Sequence, residues 1–277
     1  MGKISAFILL FLSGFFTVKS QYYYKDLITV KQTAVDMAAH KEASVRKVKV
    51  KSIEPDGELN KDFFCEKRIS KDYKTSSLFT RSNNTGKSLM ESYFNNTGQL
   101  VKTYDSSAIV VSNSAYFYND QGQLIKTVYT SKSSDDDFIN LIVEEHIYEY
   151  NEKNQPSKMT RVKNSKDTIL ILFSTDEQNN VALEKDTRDG SKYYYYYDAN
   201  NRLTDVVHAS QFKEKMIADY IFEYNSSNQI IKMITTEEGE NEYLVWKYTY
   251  DGKLKTNEKI FSRGKKLVGQ IEYEYIK

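Results

Sequence analysis

One cysteine, two prolines and three histidines are all that these 277 residues hold of those types. With Cys65 alone, no intramolecular disulfide and no cysteine zinc cluster can form. So few prolines exclude a proline-rich disordered chain, and 11 glycines exclude a collagen-like one. His40, His146 and His208 are thin material for a catalytic or metal centre. Neither sign of charge prevails: 39 Lys and Arg against 38 Asp and Glu leave a net +1. That balance gives no electrostatic reason to expect nucleic acid or an anionic membrane as partner. No phosphate loop, dinucleotide fingerprint or zinc-helix motif is present, and no cofactor is implied.

The N-terminus reads as an export signal over residues 1–20. Lys3 supplies the positive start, and Ile4 to Phe16 is an apolar run of 13 residues. As a helix that run spans about 20 Å, short of the roughly 30 Å of a bilayer core. Small residues at Val18 and Ser20 place the cut before Gln21. No cysteine follows to carry a lipid. No later run reaches the roughly 18 apolar residues of a spanning helix. Cleavage leaves 277 − 20 = 257 residues and, without Lys3 and Lys19, a net charge of −1. The protein is expected in the periplasm, on the outer surface or secreted. Without disulfides, its stability must come from sheet hydrogen bonds and aromatic burial.

What the chain has in abundance is tyrosine, 23 residues beside 14 Phe and one Trp, and a repeat. Tyr118 to Leu124, Tyr197 to Leu203 and Tyr224 to Ile230 share one pattern. Phe94 to Leu100, Tyr150 to Pro156 and Thr175 to Val181 follow it, Ile53 to Leu59 is a weaker early copy, and Tyr250 to Leu254 is a shortened one. From residue 94 the copies begin at 94, 118, 150, 175, 197, 224 and 250. The fifth position is Gly57, Gly98, Gly122, Asn154, Asn179, Asn201 or Asn228. Gly and Asn most readily take a left-handed backbone. A type I turn closed by one such residue joins two antiparallel strands. Each copy therefore reads as a hairpin tip.

Alternation then places side chains. Tyr116 and Tyr118 share one face, as do His146, Tyr148 and Tyr150. So do Tyr193, Tyr195 and Tyr197; Tyr220, Phe222 and Tyr224; Trp246, Tyr248 and Tyr250. The positions between them, such as Glu149, Glu223, Lys247 and Glu274, are mostly polar. With opposite turns at Asp189-Gly190 and Arg263-Gly264, the expectation is an up-and-down meander of roughly 14 to 16 strands at ordinary strand length. Val30 to Ala43 is expected to form one amphipathic helix. The organisation is thus a leader (1–20), a helical segment (21–46) and a mainly β, antiparallel repeat domain (47–277).

The stretch Tyr195 to Leu203, with Tyr116 to Leu124 next, resembles the YD repeats of Rhs-type bacterial proteins and teneurins. The resemblance covers roughly residues 90–277. It implies a long, twisted or curled sheet on a secreted or surface protein, with a structural or binding role and no catalysis. Short signal-bearing proteins of Bacteroidota-type envelopes are similar. These repeats are longer and more uneven than the family's, and too few to imply an enclosed shell.

Candidate sites are sparse. Trp246, Tyr193 and Tyr220 are the aromatics that best suit a ligand, since such rings stack on sugars or anchor protein partners. Glu144 and His146 share a strand face but lack a third metal ligand. Asp135 to Asp137 lack the spacing of a calcium loop. Cys65 reads as core and His208 lacks a nucleophile. Asn83, Asn95 and Asn225 match a glycosylation pattern that turn-forming Asn equally explains. The leading expectation is a non-enzymatic envelope scaffold or binding module for protein or glycan, with an exposed sheet edge as a candidate docking site. Two alternatives stand beside it: an outer-membrane β-barrel, against which Lys255, Asn257, Glu258 and Lys259 count, and a surface-polymer hydrolase built on paired carboxylates.

Overall fold

The structure is a computed structural model that describes residues 23–107, 109–133, 141–209, 216–236 and 242–277. It opens with helix α1 (Tyr24–Glu42). Eighteen strands follow: β1 (Lys47–Ile53), β2 (Phe64–Ile69), β3 (Thr75–Ser82), β4 (Gly86–Phe94), β5 (Leu100–Ser107), β6 (Val110–Tyr118), β7 (Leu124–Ser133), β8 (Ile142–Tyr150) and β9 (Pro156–Lys163). The second half comprises β10 (Asp167–Thr175), β11 (Val181–Asp186), β12 (Lys192–Tyr197), β13 (Leu203–Ala209), β14 (Met216–Tyr224), β15 (Ile230–Thr236), β16 (Tyr243–Asp251), β17 (Leu254–Ser262) and β18 (Leu267–Ile276).

Each strand pairs antiparallel with the next, and β1 pairs with β18 from Lys47↔Ile276 to Ile53↔Gln270. That last pairing closes the meander into an 18-stranded barrel. The extended, twisted or curled sheet implied by the resemblance is corrected here to a closed barrel, as is the lower strand count. The physical reason is the edge: an open meander leaves two rows of unpaired backbone groups, and closure satisfies both. Docking through a free sheet edge is excluded by the same pairing.

The tips have the anticipated backbone. Gly57, Gly98, Gly122, Asn154, Asn179, Asn201 and Asn228 all lie at positive φ, between 58° and 88°. In the six full-length turns from residue 95 onward the first Asn or Asp folds its carboxyl or amide oxygen back onto backbone N–H groups, as Asn95 Oδ1 does with Thr97 N (3.0 Å) and Gln99 N (2.9 Å). The turns after β4, β6, β8, β10, β12, β14 and β16 therefore share one rim, the tip rim. The early copy differs. Gly57 N donates to Glu54 O as in the others, yet this turn joins β1 to β2 and so lies on the far rim. A turn at Ser70 to Thr75, with Tyr73 left-handed at φ 59°, takes its place on the tip rim.

Two ladders of side chains stitch neighbouring tips. The first-position tyrosine donates its hydroxyl to the backbone carbonyl that follows the preceding tip. Tyr118 reaches Leu100 O (2.7 Å), Tyr150 reaches Leu124 O (2.7 Å), Tyr197 reaches Val181 O (2.9 Å), Tyr224 reaches Leu203 O (2.7 Å) and Tyr250 reaches Ile230 O (2.8 Å). The sixth-position side chain reaches forward. Gln99 Nε2 donates to Gly122 O (2.9 Å), Arg202 to Asn225 O (2.9 Å) and Gln229 Nε2 to Gly252 O (2.7 Å). The repeat thus encodes the hairpin and also its bond to the next hairpin.

Each of these seven tips is followed by a register shift, as between Phe117 and Tyr118. One residue is bulged, so the lumen-facing positions after a tip are spaced by three before the period of two resumes. Thr127, Met159, Glu184, Val206, Met233 and Glu258 become inward and buried this way. The lumen face is aromatic and apolar on β8 to β18. On β3 to β7 it is rich in small hydroxyl residues, including Ser76, Thr80, Ser92, Ser112 and Ser114. The outer wall carries ion pairs such as Lys51–Glu274 (3.0 Å), Lys126–Glu145 (3.0 Å) and Lys158–Glu149 (2.9 Å).

Candidate functional site

Barrels of this strand number are wide enough to hold a channel. Here α1 crosses the tip-rim mouth. Its 19 residues give about 28 Å of length, and it begins at Tyr24 rather than at Val30. Tyr23, Leu27, Val30 and Met37 join the main core with lumen residues of most strands, among them Phe94, Leu100, Tyr148, Phe173 and Tyr195.

The first turn of α1 is clamped by buried acids. No side chain of its own segment caps the helix. Instead Glu184, reaching in from β11, accepts from Tyr23 N (2.8 and 3.0 Å), Tyr24 N (2.9 Å) and the Tyr195 hydroxyl (2.8 Å). A carboxylate at this end answers the exposed N–H groups and the positive end of the helix dipole. Burial nevertheless pushes the Glu184 carboxyl up to about 7. One turn on, Asp26 accepts from Tyr148 (2.8 Å) and lies 2.6 Å from His146 Nδ1. His146 Nε2 lies 2.9 Å from Glu144, and Glu144 accepts from Arg161 at 2.9 Å. Burial alone lowers the pKa of His146, but Asp26 and Glu144 outweigh it and raise it to about 9. Burial likewise works against the Glu144 anion, and His146 and Arg161 bring its carboxyl down to about 2. The other end of α1 is held at the surface by Glu42 and Lys253 (2.6 Å).

On the β2 to β7 side the helix does not fill the mouth. A cavity of about 700 Å³ opens between Leu27, Val30, Lys31, Ala34, Val35, Met37, Ala38 and Lys41 of the helix and the tip rim at Asp72 to Lys74, Asn95 to Gln99, Tyr118, Gly122 and Leu124.

The three aromatics singled out from the sequence share one lumen sector. Trp246 is 4% exposed, packs with Met233, Leu244 and Ile260, and directs Nε1 at Thr235 Oγ1 (3.3 Å). Thr235 is the register partner of Tyr220, whose ring stacks on Phe222 at 6.0 Å. Tyr193 is 6% exposed and faces His208, its ring 5.9 Å away. His208 Nδ1 lies 2.7 Å from Asp219, the residue bulged out of register in β14. Asp135 to Asp137 lie outside the described residues. Among the described residues no group of three or more His, Cys, Asp or Glu is arranged to hold a metal. The clamp residues Asp26, Arg161 and Glu184 escaped the sequence reading, which placed Tyr148 beside His146 only as part of an aromatic row. For Glu184 a signal exists: it stands three residues after Val181, where the bulge turns it inward.

No family model and no curated protein matches this chain. Among solved structures it is similar to a porin-like protein of Bacteroides uniformis, 13% identical with a TM-score of 0.42, over 84% of this chain and 96% of that one. It is also similar to a porin-like protein of Bacteroides vulgatus, 11% identical with a TM-score of 0.30, over 84% and 98%. A third likeness, to the Photorhabdus luminescens Tc holotoxin pore, has 9% identity and a TM-score of 0.30, and spans 85% of this chain but 17% of that one. What the chain itself forms is a closed β-barrel, so the barrel alternative describes it better than the open scaffold.

Proposed function

We propose that this is an exported β-barrel of the bacterial envelope that binds at its helix-crossed mouth instead of conducting through its lumen. The observation that carries this reading is the clamp of Glu184 on the start of α1, which holds the helix inside the barrel. The expected leader over residues 1–20 supports export. The stitched tyrosine tips support a repeat of the YD type with a structural and binding role and no catalysis.

The charge of the wall favours water around it. β1 turns Lys47, Lys49 and Lys51 outward against Glu66 and Glu274, and lysine at a bilayer midplane costs about 2–4 kcal/mol. A second reading, a lipid-embedded outer-membrane barrel, draws on the even-stranded closed meander and on exposed Ile147, Leu170 and Leu172 on β8 and β10. Extraction separates the two. Release of folded protein from cells in detergent-free buffer supports the first. A detergent requirement, or single-channel conductance in a planar bilayer, refutes it.

A further inference from the structure

The mouth groove has a chemistry of its own. It follows α1 from Leu27 to Lys41, about 21 Å at helical rise. Its volume of about 700 Å³ is that of a small-molecule site. Its helix wall is apolar and open: Val35 is 54% exposed on an otherwise small-residue face with Ala34 and Ala38. Lys31, Lys41 and Lys74 line it against one acid, Asp72.

Most polar side chains of the rim wall are already engaged. Asn95 Oδ1 accepts from Thr97 and Gln99, and Gln99 accepts from Asn95 and donates to Gly122 O. The Tyr118 hydroxyl is held by Leu100 O. Asp72 accepts from Ser70 Oγ and Lys74 N. A sugar needs many such groups. A peptide bound as an added strand needs a sheet edge, and closure has removed it. An acyl chain needs neither, only an apolar trough and a cation for its head.

We propose that this groove binds a free long-chain carboxylate, the chain lying along Val30, Ala34, Val35 and Ala38 and the head group at the Lys41 and Lys74 end. The inference deepens the mouth-binding reading and rests on it.

The test is calorimetric titration of the full, leader-cleaved protein with hexadecanoate below its aggregation limit. Saturable one-to-one binding is expected, weakening about tenfold for every two methylenes removed. Val35→Asp, placed on an exposed position, should abolish binding while the circular dichroism spectrum and melting temperature stay unchanged. Lys41→Gln and Lys74→Gln together should weaken the carboxylate about tenfold and leave hexadecanol unaffected. Absence of binding, binding indifferent to Val35→Asp, or association only with phospholipid vesicles would each overturn the proposal. So would capture of an acidic peptide that hexadecanoate cannot displace. The extraction and conductance experiments are independent of these outcomes, so a failed groove leaves the barrel reading standing.

Discussion

Replacing the tip tyrosines by phenylalanine isolates a single kind of bond. Tyr118, Tyr150, Tyr197, Tyr224 and Tyr250 each donate a hydroxyl to a backbone carbonyl of the preceding repeat at 2.7–2.9 Å. Phenylalanine keeps the ring and its packing and removes only the donor. One such half-buried bond contributes about 1 kcal/mol, and a domain of this size loses about 2–4 °C of melting temperature per kcal/mol. Successive tips lie two strands apart, about 10 Å, a separation at which effects add. The fivefold variant should therefore lose about 5 kcal/mol in urea unfolding with an unchanged denaturant slope. Tyr196→Phe, on the outer wall at 50% exposure, is the control and should match the parent within about 0.5 kcal/mol. If the fivefold variant unfolds within about 1 kcal/mol of the parent, the tyrosines serve only as core and the stitching argument fails.

Stability should peak near pH 4.5. Glu184, raised from 4.5 to about 7, is more easily charged in the unfolded chain, so its contribution is complete below 4.5 and is lost as pH rises from there through 7. His146, raised from 6.5 to about 9, contributes fully below 6.5 and is lost as pH rises through 9. Glu144, lowered from 4.5 to about 2, contributes above 4.5 and is lost as pH falls through 2; urea midpoints across that range check all three. Glu184→Ala leaves two helix N–H groups without their acceptor and should cost about 1–3 kcal/mol, with faster amide exchange confined to the first turns of α1. Asn154→Val, at φ 63°, should cost about 1–2 kcal/mol, whereas Asn154→Gly should be close to neutral in the same urea assay. Burial pushes the Cys65 thiol up to about 12, so it should resist a disulfide reagent in the native state and react on unfolding.

The tips were legible because their determinants are local. A left-handed residue at the fifth position and an Asx cap at the second act within seven residues, and every full-length copy took the anticipated left-handed residue. The aromatic rows up to each tip were legible for the same reason, since alternation needs only neighbours. Past the tip the simple alternation fails. The bulge adds a residue, which is why Glu184 was not singled out and Glu258 entered the argument against a lipid face although it points inward. The bulge recurs at a constant place, so its rule can be carried back onto the sequence.

Closure and the plug belong to tertiary structure. No local feature of Lys47 to Ile53 names Leu267 to Ile276 as its partner; that pairing depends on the accumulated twist and tilt of every strand between. The clamp on α1 joins Tyr23 and Asp26 to residues more than a hundred positions away, and the groove exists only where helix and rim stand apart. Sequence alone dictated hairpins with their rings on one side, because those forces act over a few residues. Whether the ribbon met its own beginning, and what it then enclosed, was decided by long-range geometry summed around the whole barrel.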